Sequence, residues 1–156
     1  GYVLNNALEK YLWQTVNKKI GLEAKEEKNY GFYQNIEHEE IVRLADEISA
    51  NTGQVVSKTL AQNSCVSITL FAFAKGEEIG THDSAGDAMV TVIEGKGRFV
   101  VDGREYCLSA GETLVMPARK PHSVHAEDAF KMLLTVVFPR NDSETKLLCF
   151  ADSKVA

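Results

Sequence analysis

Residues 76–95 read GEEIGTHDSAGDAMVTVIEG and residues 111–122 read GETLVMPARKPH. Each segment opens on a glycine and carries one histidine, His82 in the first and His122 in the second. Around them the chain is a series of short apolar or alternating runs: Val55–Leu60, Val66–Ala74, Ala88–Ile93, Arg98–Val101, Thr113–Met116 and Met132–Phe138. Turn signals separate these runs at Lys75-Gly76, Glu94-Gly95, Asp102-Gly103 and Ala110-Gly111. Asp102-Gly103 predicts a type I′ hairpin, because that turn needs positive φ at both central positions. Short strands at regular spacing with such turns indicate an all-β sandwich or barrel. Connections this short cannot hold crossover helices, which disfavours a parallel α/β fold. Runs such as SITLFAF and KMLLTVVF are apolar on both faces. One face can fill a barrel interior, while the other awaits a second layer or a subunit contact.

The two segments together resemble the motifs of the cupin superfamily, G-x5-H-x-H-x3–4-E-x6-G and G-x5-P-x-G-x2-H-x3-N. The resemblance runs over roughly residues 54–138 and is nearest to the small single-domain, RmlC-like cupins. It implies a jelly-roll β-barrel, usually dimeric, with a binding site inside the barrel. In metal-binding cupins that site is three histidines and one glutamate. Carried over position by position, His82 takes the first histidine place and His122 the last. Ser84 stands at the second histidine place, Ala88 at the glutamate, Arg119 at the second-motif glycine and Ala126 at the asparagine. Two of the four expected ligands therefore remain.

In a strand, residues i and i+2 share a face, so H-x-H sets two imidazoles side by side inside a barrel. Ser84 would keep that direction with a poor ligand, and Ala88 offers no ligand atom. His125, three positions beyond His122, and Asp87, beside the glutamate position, have the wrong parity for the same interior. The candidate ligand pocket is thus His82, Ser84, Ala88 and His122, with Phe71 and Phe73 sharing a strand face that either packs the core or lines the pocket. Arg119 reads as a solvated loop charge rather than an anion contact. No cofactor is certain from these residues; the one that His82 and His122 could hold is a weakly bound divalent transition metal.

Composition sets the outer bounds. The chain has 156 residues, about one domain's worth, with 44% apolar and 25% charged residues, which excludes a disordered or collagen-like chain. Seventeen basic against 22 acidic residues give a net charge of −5, opposite to the basic footprint of a nucleic-acid binder. No run approaches the ~18 apolar residues of a membrane span. No charged-then-apolar signal segment opens these residues, although Gly1 in place of Met leaves room for an upstream one. Cys65, Cys107 and Cys149 are odd in number and widely spaced, and read as reduced thiols of a cytoplasmic protein. Gly95-Lys96-Gly97 lacks the third glycine of a dinucleotide loop, no P-loop or HExxH is present, and Asn141-Asp142-Ser143 is only a weak sequon match.

Before the barrel, Leu4, Leu8, Leu12, Val16 and Ile20 form one apolar stripe and predict a helix over the first 20 residues, for packing or dimer contact. Its polar face is not rich in Lys and Arg, which weighs against a membrane-surface role. Ile41, Leu44, Ala45 and Ile48 predict a second short helix over Glu37–Ile48. The expected organisation is a helical extension and lead-in over 1–53, a cupin barrel over 54–140, and a strand or tail over 141–156. The favoured function is binding of a small polar or anionic molecule in the barrel of a homodimer, without nucleic acid or membrane as partner. The rival is an enzyme, either a metal-dependent oxygenase or isomerase with a reduced ligand set, or a metal-free isomerase or epimerase with a pocket histidine as base.

Overall fold

The computed structural model of the protein describes residues 32–139. Nine strands run in order: β1 (Val55–Gln62), β2 (Val66–Phe73), β3 (Glu78–His82), β4 (Asp87–Glu94), β5 (Lys96–Val101), β6 (Arg104–Ser109), β7 (Thr113–Met116), β8 (His122–His125) and β9 (Phe130–Val137). They form a five-stranded sheet, β1-β2-β9-β4-β7, facing a four-stranded sheet, β3-β8-β5-β6, with every pairing antiparallel. The expected all-β barrel is what forms. Asp102 and Gly103 turn the β5–β6 hairpin with φ of 50° and 78°, the pair of positive values that a type I′ turn demands.

The alternation in VSITLFAF decides how β2 is used. Phe71 and Phe73 point between the sheets, where Phe73 joins Val90, Val92, Phe99, Met116, Phe130 and Met132 in the main core. Leu70 and Ala72 point the other way into a second cluster with Leu60 and Ile48, against which Ile36, Leu44, Val56 and Leu133 pack. The apolar outer face of the large sheet is thus partly covered by the chain's own lead-in segment, residues 36–50.

That lead-in is not the helix that its spacing predicts. Over Glu37–Ile48 only one 3-10 turn forms, at Leu44–Asp46. Glu39 has φ of 60°, which breaks a right-handed helix. Ile41 is fully exposed, while Leu44 and Ile48 reach the sheet. Apolar contact with the sheet has overridden the local 3.6-residue pattern. The helix expected over the first 20 residues and the strand or tail over 141–156 lie outside the described residues.

The barrel has two unlike ends. At one, Phe73 and Phe130 stack at 4.7 Å between ring centroids, and Phe99 meets Phe130 edge-on at 6.1 Å. Gly97 belongs to this packing, because a Cβ there would lie 2.6 Å from the Phe130 ring. At the other end, β3 and β4 are joined by residues 83–86, and β7 and β8 by residues 117–121. These two crossings are tied together where the Arg119 N–H donates to the Ser84 carbonyl at 2.8 Å, and the Ala118 N–H to the Asp87 carboxylate at 2.8 Å.

Candidate functional site

His82 ends β3 and His122 begins β8, and the two are register partners. Their placement depends on a bulge. Ile79 pairs with Val124 and His82 with His122, so β3 spends three residues where β8 spends two. Ile79 packs against the main core with the buried Val124. Without that bulge, plain alternation from Ile79 over three residues would give His82 the opposite parity and face it outward. The imidazoles meet at 4.5 Å between centroids, with their planes 67° apart.

Backbone carbonyls fix both tautomers. His82 Nδ1 lies 2.8 Å from the Gly80 carbonyl, and His122 Nδ1 lies 3.0 Å from the Lys120 carbonyl. A carbonyl only accepts, so each Nδ1 carries the hydrogen, and each neutral ring keeps an unshared pair on Nε2. His82 is exposed, whereas His122 is 4% exposed. Burial pushes the His122 pKa below the ordinary imidazole value of 6.5. The Lys120 carbonyl hydrogen bond opposes that shift, the neighbouring His82 adds to it, and Asp83 opposes it.

The other expected pocket residues fall in different places. Ser84 lies beyond the end of β3, and its hydroxyl accepts the Gly86 N–H at 3.2 Å. Ala88 is buried in the main core, pairing with Met116 and Val136. Phe73 belongs to the closed aromatic end, with Phe71 stacked behind it at 6.1 Å. His125 points to the outer face, where Nδ1 meets the Glu78 carboxylate at 2.8 Å and Nε2 the Ser123 hydroxyl at 2.9 Å. Arg119 is exposed with φ of 61°, which accounts for glycine being the motif residue at its position.

The residues present fall short of a three-histidine, one-glutamate centre. Among the described residues, no group of three or more His, Cys, Asp or Glu side chains gathers at a spacing that could hold a metal ion. The pair alone has the geometry in which metal-ligating histidines are held, with the second ring nitrogen donated to a carbonyl.

The sequence reading missed two features here. Ser67 and Thr69 share the inward face of β2 with Phe71 and Phe73, and the alternation of VSITLFAF already places them there. A cleft of about 350 Å³ also opens between the edge strands β6 and β7, lined by Val101, Arg104, Tyr106, Leu114, Val115 and Pro117, with Asp102 and Lys120. It does not include the histidines, but Val101 is the register partner of His122.

Comparison with known proteins agrees with this architecture. The family model described as the cupin domain matches residues 69–138. A conserved protein of unknown function from Streptococcus pyogenes is 41% identical, with a TM-score of 0.69 over 73% of this chain and 100% of that one. A cupin superfamily protein from Desulfitobacterium hafniense is 32% identical, with a TM-score of 0.66 over 69% of this chain and 98% of that one. The chain belongs to the cupin superfamily. An RmlC-like cupin from Shewanella frigidimarina, 23% identical with a TM-score of 0.53 over 61% of this chain and 86% of that one, shares the fold. No curated protein matches this cupin. Its motif histidines are the pair at the open end of the barrel. No helix among the described residues is long and apolar enough to cross a membrane.

Proposed function

We propose that this cupin binds a small polar or anionic molecule at the open end of its barrel, where His82 and His122 supply the recognising groups. The observation that carries this reading is the pair of Nε2 atoms, each left uncommitted because its Nδ1 is tied to a backbone carbonyl. An acidic ligand stabilises the protonated imidazoles through charge-assisted hydrogen bonds. Ser67 and Thr69, on the inward face of β2, add hydroxyl groups toward the same interior. Binding of an anion should strengthen as pH falls below ~6.5, with proton uptake on binding, because His122 is held neutral until a negative partner offsets the cost of charging it. A thermal-shift screen of small carboxylates and phosphates tests this. A ligand that stabilises the parent and a His82→Ala, His122→Ala double variant equally well removes the histidines from the site.

One observation favours an enzymatic second reading. A neutral imidazole with a free Nε2 is the form a general base requires, so a metal-free isomerase or epimerase is compatible with the pair. Metal analysis of protein purified without chelator or nickel resin, followed by turnover assays on any ligand found, separates these readings. The metal-dependent version requires stoichiometric metal despite the short donor set.

The same reading takes the protein as a cytoplasmic homodimer. Met89 is exposed on the outer face of the large sheet, with exposed Val137 nearby. Light scattering that returns a monomer mass at micromolar concentration rejects the dimer.

A further inference from the structure

We infer that the cleft between β6 and β7 is a second, separate site for a small organic anion with an apolar body, and that Arg104 anchors the anionic group. The cleft, at about 350 Å³, falls within the roughly 300–1,000 Å³ of small-molecule sites. Its walls are apolar, from Val101, Leu114, Val115 and Pro117. Its charges are unbalanced. Lys120 is already matched by Asp102 at 2.6 Å, whereas Arg104 has no carboxylate partner among the described residues. The Arg104 guanidinium instead lies over the Tyr106 ring, 5.7 Å from its centroid. That stacking holds the planar fork by one face and leaves its N–H edge for a ligand. An edge of this kind matches a carboxylate bidentately, while the apolar walls receive the remainder of the molecule.

The placement follows from the sequence. Arg104 and Tyr106 are i and i+2 on β6, and so share one face. The type I′ turn at Asp102-Gly103 brings Arg104 beside Val101, and Asp102 within reach of Lys120. Both β6 and β7 are edge strands of their sheets, so among the described residues no further strand covers the gap. This inference does not depend on the histidine pair.

The test is a heteronuclear NMR titration of the full chain with benzoate, repeated with benzamide, which has the same shape without the charge. Benzoate should move the amide signals of Val101, Arg104, Tyr106 and Val115, and should bind at least ~10-fold more tightly than benzamide, on the scale of a charge-assisted hydrogen bond. Arg104→Gln should weaken benzoate by about tenfold, and Arg104→Lys, which keeps the charge but not the fork, by less. The His82→Ala, His122→Ala double variant should bind benzoate as the parent does. Failure of that last arm alone places benzoate at the histidines and overturns the separate site. Equal binding of benzamide, no effect of Arg104→Gln, signals moving elsewhere, or no binding at tens of millimolar benzoate each overturn the inference.

Discussion

The two ends of the barrel are built from the same strands and do opposite work. At the closed end, Phe73, Phe99 and Phe130 fill the space between the sheets so fully that Gly97 has no room for a methyl group. At the open end, β2 and β9, which carry Phe73 and Phe130, reach Ser67, Thr69 and Val136, β4 adds Ala88, and the opposite sheet contributes His82 and His122. Burial of aromatic area at one end provides stability that lets the other carry polar groups. The division can be tested, because substitutions at the closed end should act on stability and those at the open end on charge and ligand.

The largest expected effect is at the closed end. Phe130→Ala removes a ring that stacks on Phe73 and packs beside Gly97, and should cost about 3–5 kcal/mol in denaturant unfolding. A loss below ~1 kcal/mol would mean the aromatic end is not the stability anchor. Next comes rebuilding the open end. Ser84→His with Ala88→Glu restores the ligand types of metal-binding cupins, and should tighten zinc, nickel or manganese binding by ~10-fold or more in calorimetric titration. The apo variant should be less stable than the parent, since the new carboxylate occupies the buried Ala88 position. No gain in a folded variant rejects the placement of these two positions; Ser84, outside β3, is the weaker of them.

Smaller effects follow. Because burial lowers the His122 pKa, the unfolded chain takes up a proton near pH ~6.5 that the folded protein refuses until lower pH. His122 therefore favours the folded state fully above ~6.5, and that contribution declines as pH falls through the window between the unfolded and folded values. His122→Gln should flatten the acid side of the stability profile, measured by unfolding at several pH values in chelator; an unchanged slope shows that His122 is not responsible. Smallest is Arg119→Gly, which relieves a left-handed backbone at an exposed loop and should change stability by less than ~1 kcal/mol, in the stabilising direction. A clear loss would show that the Arg119 side chain makes a needed contact.

The barrel was legible because its signals are local and repeated. Alternation placed β2, the run Thr113–Met116 is β7 to the residue, and Asp102-Gly103 named its own turn. Strands β3 and β8 were harder, being short and polar, and only the motif spacing marked them. The lead-in defeated the reading because Ile41, Leu44 and Ile48 recur at helical spacing, yet the sheet beneath drew in Leu44 and Ile48 and left Ile41 in water. At the site, spacing identified the two histidines that meet. It could not show that β3 stops before Ser84, nor that Arg104 and Tyr106 come to line a gap between strands from different sheets. Those facts depend on where strands end and which edges stay uncovered, and neither is written in residue types alone.

The extra residue in β3 gives the site an unusual tolerance of length. Most strand positions change face when one residue is lost before them, but His82 owes its direction to a bulge that absorbs the extra one. Between Ile79 and His82 stand Gly80 and Thr81, neither of which needs its own side chain for the histidine to face inward. Removing either one would give β3 the same two-residue step as β8, so that plain alternation from Ile79 would still face the imidazole inward, now without a bulge. Changing the identity of Thr81 would do as little. For this cupin, a one-codon deletion in that dipeptide should leave the histidine pair facing inward, and sequence comparisons that open a one-residue gap there would still align two histidines that meet.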